Sequence, residues 1–346
     1  MKLPDGSIRS DEGDLVCISV ERFLREICEG DNCFLCGKSY KEGRTREHII
    51  PNWVLRKFGL HNKLVTLPNQ TTLPYRGYTV PCCKPCNGRL ENNLETPLSS
   101  LISNGFGAVA EYVQENGPEK LFVWMCLIFI KTHLRDESLI MHRDTRESSS
   151  FIASELEYDR ESFHHTYCLA RSPYTKAQIQ EDALGSFLLF PVEESTTREN
   201  FDFIDIAHAR TLGIVIGDVG MISVFGDGGA ILGALQESII QRLDGPLNHN
   251  QFRELVLHFA CCRTHLKVNP KFMTLYDGEN TQILCSTPDF TPEYEDYNPL
   301  VLGGLMESFI WPSISHVAPM EYRDKLRSGQ ITYLFDSLAM PSKPCN

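Results

Sequence analysis

No apolar run in this 346-residue chain is long enough to cross a bilayer; the longest, Leu121 to Ile130, is ten residues and reads as a buried helix. The opening Met1-Lys2-Leu3-Pro4-Asp5-Gly6 is polar and has no apolar core, so no secretion signal is expected and a cytoplasmic location is. No fixed-period repeat recurs, which argues against a solenoid or propeller. A complete dinucleotide or P-loop pattern is also missing: Gly226-Asp227-Gly228 reads as a hairpin turn. Positive charge is in short supply, with 33 Lys and Arg against 45 Asp and Glu and a net charge of −12. Taken whole, that balance opposes a polyanionic partner.

Cysteine is not scarce. The chain has 13, an odd number in a long sequence, which fits reduced thiols better than a disulfide framework. Cys126, Cys168 and Cys285 sit in apolar runs and read as core thiols. Four others have metal spacing: Cys33-Phe34-Leu35-Cys36 and Cys83-Lys84-Pro85-Cys86. Each Cys-x-x-Cys turn can aim two sulfurs at one ion, and two such turns suit a closed tetrahedral zinc site. Cys82 neighbours Cys83, but Cys83 keeps the two-residue gap to Cys86, leaving Cys82 as a buried spare thiol. Between the pairs lies Glu47-His48-Ile49-Ile50-Pro51, and Asn87 follows the second pair directly.

The charge is unevenly spread. From Cys33 to Glu95 there are ten Lys or Arg (38, 41, 44, 46, 56, 57, 63, 76, 84 and 89) against four acids (Glu42, Glu47, Glu91 and Glu95). This stretch is therefore at +6 and the remainder at −18. A basic segment on an acidic body can bind phosphate locally.

The order Cys-x-x-Cys, Glu-His-Ile-Ile-Pro, Cys-x-x-Cys-Asn resembles the HNH endonuclease superfamily in its zinc-stapled form, over Cys33 to about Glu95. The resemblance implies a ββα-metal unit. Thr45 to Ile50 would be its first strand, Tyr78 to Val80 its second, and Asn87 would open a helix through Leu94 that Pro97 stops. It implies a phosphodiester hydrolase acting on nucleic acid, with DNA favoured, in a bacterial or phage restriction or defence setting. His48 would be the general base, since a neutral imidazole near pH 7 suits proton transfer from water. Glu47 and Asn87 would bind Mg²⁺ or Mn²⁺, hard cations that prefer oxygen. Glu91, one turn beyond Asn87, would be a third ligand or orient one. Zn²⁺ on the four thiols would be structural. Arg44, Arg46, Lys84 and Arg89 would contact the substrate backbone. The sequence departs from the family at the middle position, usually asparagine, where Tyr78 stands.

The expected class is α+β: a zinc-stapled ββα-metal module joined to a larger α+β body with an antiparallel sheet and buried helices. Residues 1–32 read as a tail and an amphipathic helix (Val20, Phe23, Leu24, Ile27), 33–97 as the module, and 98–346 as an acidic domain of unassigned role. Within the insert from Pro51 to Arg76, Trp53 to Phe58 suggests a short helix, and His61 reads as a surface loop residue. Helices are expected over Ala108–Gln114, Pro118–Leu134 and Gln251–His265. Strands are expected over 166–170, 186–190, 201–208, 211–216, 221–225, 271–276 and 281–285, with an irregular tail after Pro288. The acidic domain would choose the target, sense a signal, or engage a protein partner or second copy. The rival reading is a non-catalytic zinc-dependent module that binds nucleic acid or protein.

Overall fold

A computed structural model describes residues 1–40, 43–142, 150–196, 199–287 and 289–335. Lys41 and Glu42 of the basic segment, Pro288 and residues 336–346 of the tail lie outside the described residues. The chain is α+β, with its larger sheet antiparallel. It divides into two compact units that interleave in sequence. One takes Met1–Leu101, Gly117–Ala183 and Phe272–Cys285; the other takes Ile102–Asn116, Leu184–Lys271 and Ser286–Asn346. Among the described residues no helix is long and apolar enough to cross a membrane.

In the first unit, β1 (Arg44–His48) and β2 (Thr79–Cys83) form an antiparallel ribbon with Arg44 opposite Cys83 and Glu47 opposite Val80. The ribbon runs straight into α1 (Lys84–Leu90). This helix begins three residues before Asn87, because Pro85 is tolerated in a first turn, where its missing N–H would have no intrahelical partner. Nor does Pro97 stop it. The chain continues through a wider turn, Glu91–Glu95, into another helix, Thr96–Ser103, whose first turn holds Pro97. The insert between the strands supplies the helix Asn52–Lys57 and a small hairpin of Leu64–Thr66 with Thr72–Pro74. The N-terminal tail is ordered too: Ile8–Arg9 pairs with Leu15–Cys17 before the helical turns of Val20–Cys28.

Against the ribbon packs α2 (Glu119–Asp136), buried all round from Leu121 to Ile130 as its composition required. Beside it lies α3 (His164–Ala170). The sequence here reads as a strand, since Thr166 and Tyr167 favour β; burial of Thr166 through Ala170 within a helical layer overrides that preference. A three-stranded sheet completes the unit: Phe272–Tyr276 pairs antiparallel with Thr281–Cys285, which pairs parallel with Gln178–Ile179.

The second unit is built on β3 (Ser186–Pro191), β4 (Phe201–Ile206), β5 (Thr211–Ile216) and β6 (Val219–Val224), in spatial order β3-β6-β5-β4 and all antiparallel. On it lies α4 (His249–Thr264), started by a capping box between Asn248 and Gln251. Gly213 of β5 lies against the helix, and a Cβ there would overlap the Val256 side chain. The Gly226–Gly229 turn is not a hairpin: it leads from β6 into the helix Ala230–Gln236 and is a structural staple. The buried Asp227 carboxylate accepts from Ser186 N (2.8 Å), Ser186 Oγ (2.5 Å) and Ile231 N (3.0 Å). The tail is more regular than its composition suggests. Pro299–Phe309, Trp311–Ile314 and Met320–Arg327 are helical, the first capped by Asn298 with Pro299 in its first turn.

Candidate metal centre and adjoining cleft

Cys33, Cys36, Cys83 and Cys86 are buried, and their Sγ atoms lie within 4.8 Å of one another. Cys36 and Cys83, one from each pair, are 3.8 Å apart. A tetrahedral zinc with Zn–S near 2.3 Å sets its sulfurs about 3.8 Å apart, so the spacing fits that ion. Four thiols this close cannot all ionise without a cation. Hydrogen bonds from Cys36, Cys82 and Cys86 pull Cys33 far down, while Cys36 is pushed up to about 12, first by its bond to Cys33. A dication would hold all four as thiolates. Cys82 is wholly buried with its Sγ 3.9 Å from Cys33, next to the group of four.

Local geometry explains both turns. Cys33 N donates to Lys38 O at 2.9 Å and Gly37 N to Cys33 O at 2.8 Å. Gly37 has φ +70°, and a Cβ there would also meet the side chains of Leu15 and Ile18 at 3.1 Å. Cys83 closes β2, and Cys86 lies in the first turn of α1, so the second pair spans the strand–helix joint. The first turn is held from outside. Tyr167 Oη donates to Phe34 O (2.8 Å), Arg171 Nε to Leu35 O (2.7 Å) and Arg171 Nη2 to Leu15 O (2.6 Å).

One cleft of about 380 Å³ is lined by Arg46, Glu47, His48, Asn52, Trp53, Arg56, Asn87, Glu91, Glu95, Thr96, Ser99 and Ser100. Neighbours on a strand face opposite ways, but His48 ends β1 where the chain bends, and both it and Glu47 reach this cleft. Asn87 arrives from α1. Its Nδ2 donates to Thr45 Oγ1 (3.0 Å), whose hydroxyl donates to Cys82 O (2.9 Å). This fixes the amide and leaves its oxygen to accept. Tyr78 is buried, and its carbonyl accepts from Ile49 N at 3.0 Å, carrying the ribbon pairing past His48.

Under Glu47 lies a residue that sequence reading did not single out. Lys131 of α2 is wholly buried, with Nζ 2.8 Å from Glu47 Oε1, 2.6 Å from His48 O and 3.7 Å from Glu95 Oε1. Burial works against its charge, but Glu47 and Glu95 outweigh that and hold its pKa above the ordinary value. Glu95 is pushed up to about 7 by burial, with Glu47 and Glu91 adding to the rise against Lys131. Burial, joined by the charges of Lys131 and His61, holds the His48 imidazole below its usual value against the pull of Glu47. His61 is half-buried rather than a free loop residue, its Nε2 2.9 Å from Asn52 Oδ1.

The four expected substrate bases separate. Arg46 lines the cleft. Arg44 pairs with Asp31 (3.1 Å) and lies over the Tyr40 ring. Lys84 and Arg89 line a different depression, on the outer side of α1. Arg56, which sequence reading did not single out, joins Arg46 in the cleft, and among the described residues neither makes an ion pair. Lys131 did leave a signal: a lysine directly after ten apolar residues on a buried helix requires a buried acid.

The cleft's donors suit a hard cation: the Glu47 carboxylate and the free Asn87 oxygen, with Glu91 and Glu95 on the same wall. Among the described residues, the four cysteines are the group of three or more His, Cys, Asp or Glu side chains close enough to share one ion; the cleft carboxylates do not form another. No family model, curated protein or solved structure matches the chain.

Proposed function

We propose that the protein is a metal-dependent endonuclease of the HNH type that hydrolyses phosphodiester bonds in nucleic acid, DNA being the expected substrate. The observation that carries this reading is that Glu47, His48 and Asn87, on a ribbon and helix tied by four thiols, line one cleft. Arg46 and Arg56 would draw the phosphate backbone to it. His48, neutral near pH 7, takes a proton from water; the oxygen attacks phosphorus and the 3′ oxygen leaves. Lys131, through the His48 carbonyl, and Thr45, through the Asn87 amide, hold base and ligand in place. Glu47 and Asn87 would hold Mg²⁺ or Mn²⁺, which when bound offsets charge developing on the phosphate. Zn²⁺ on the four thiols would be structural. A restriction or defence setting belongs to the same proposal.

A second reading, a non-catalytic zinc-dependent binding module, is favoured by one feature: Lys131 already takes one oxygen of Glu47. Plasmid nicking separates the two. With Mg²⁺ or Mn²⁺ the wild type should nick supercoiled DNA, and His48→Ala should lower the rate by at least about 100-fold with zinc content and unfolding midpoint unchanged. Equal rates in wild type and variant would favour the binding module.

A further inference from the structure

Lys131 links Glu47 and His48, two of the three residues the proposed reaction depends on, to Glu95. Two of its ammonium hydrogens go to adjacent residues of β1, to the carboxylate of Glu47 and the carbonyl of His48. The third side faces Glu95. A wholly buried side chain held by two hydrogen bonds and a longer ion pair has little rotational freedom, so the Glu47 carboxylate and the His48 backbone are held in one mutual geometry. It is also a fixed positive charge beside the oxygens that would receive a divalent cation, and Coulomb repulsion there is poorly screened.

We infer that Lys131 is a positioning residue of this cleft: it locks Glu47 and the His48 backbone into place, and its charge weakens the cleft's hold on a divalent cation. The consequence for rate rests on the nuclease reading; the consequence for cation binding does not. A site that binds its cation less tightly in exchange for a fixed Glu47 and His48 should show opposite changes in affinity and turnover when the lysine charge is removed. A purely structural lysine would lower stability and rate without tightening cation binding.

The test uses the zinc-loaded full chain at pH 8, without DNA, titrated with Mn²⁺ by calorimetry or electron spin resonance. Glu47→Gln serves to locate the ion, since it should abolish the binding. Lys131→Gln keeps a hydrogen-bond donor and deletes the charge. Its Mn²⁺ dissociation constant should fall about ten- to a hundredfold, while plasmid cutting at saturating Mn²⁺ falls about tenfold or more. Unchanged or weaker Mn²⁺ binding in a folded Lys131→Gln protein would overturn the inference. If circular dichroism shows that variant unfolded, Lys131→Arg replaces it: the charge is kept, so the Mn²⁺ constant should stay within about twofold while cutting falls, and a larger shift would overturn it. Wild-type protein that binds Mn²⁺ but does not cut would end the nuclease reading and leave the binding comparison in force. Wild-type protein that binds no Mn²⁺ would end the inference itself.

Discussion

Arg171 offers the sharpest test of how the thiol centre is supported. Its side chain is 1 % exposed, and its guanidinium donates to the carbonyls of Leu35 and Leu15 at 2.7 and 2.6 Å. Leu35 is the residue before Cys36, so this bond fixes the turn that aims the second sulfur. Hydrogen bonds from a charged donor contribute about 1.5–3 kcal/mol each, and the two together about 3–6 kcal/mol. Arg171→Met keeps most of the aliphatic stem, so the cavity left is small, but it strands two buried carbonyls. Against a total stability of about 5–15 kcal/mol this is a large share. Urea unfolding followed by zinc release to a colorimetric chelator reads the first unit directly. The variant should release zinc at markedly lower urea, and its zinc affinity should fall about 10–100-fold, as expected when a group orienting metal ligands is lost. A variant within about 1 kcal/mol of wild type, with unchanged zinc affinity, would refute the claim that the arginine holds the turn.

Two further outcomes follow from the geometry. His48 has a folded pKa below its ordinary value of about 6.5, so in a proton NMR titration its ring should stay neutral to below that pH, and cutting should not decline on its account until then; a midpoint above 7 would contradict the burial argument. The sign for stability is fixed by the same shift: as pH falls below about 6.5 the unfolded chain takes up this proton first, so His48 destabilises the fold on the acid side. In the second unit, Gly213→Ala would drive a methyl group into Val256 where α4 meets β5, and should cost about 1–3 kcal/mol with zinc content unchanged; a loss under about 0.5 kcal/mol would show that the contact yields freely.

What could be read from the sequence was what short spacing encodes. The two Cys-x-x-Cys turns, the preference for Cys83 over Cys82 and the buried helix after Pro118 all depend on residues a few positions apart, and the structure has them as read. The ribbon strands and most strands of the second unit were marked by β-branched residues between turns. The misreadings came where distant packing decides. Thr166–Ala170 has strand-like composition but turns helical against α2, and that helix leads to Arg171. Pro97 looked like a terminator and sits in a first turn, and the tail beyond Pro288 hid three helices behind its prolines. The cleft was half legible. Glu47, His48 and Asn87 stand near the thiol pairs, but Lys131 meets Glu47 across 84 residues of chain, and no local pattern encodes such a pairing.

The interleaving of the two units sets an order of events during synthesis. Both cysteine pairs leave the ribosome before the rest of the first unit that packs around them, so the thiol site can close ahead of it. The ammonium that neutralises Glu47 emerges only with α2, and Tyr167 and Arg171 later still. The strands Phe272–Tyr276 and Thr281–Cys285 follow after the whole β3–β6 sheet has been made. A nascent chain released before residue 272 would carry every thiol of the centre but lack the last two strands of the unit around it, which makes completion of that unit a late step in the life of the newborn polypeptide.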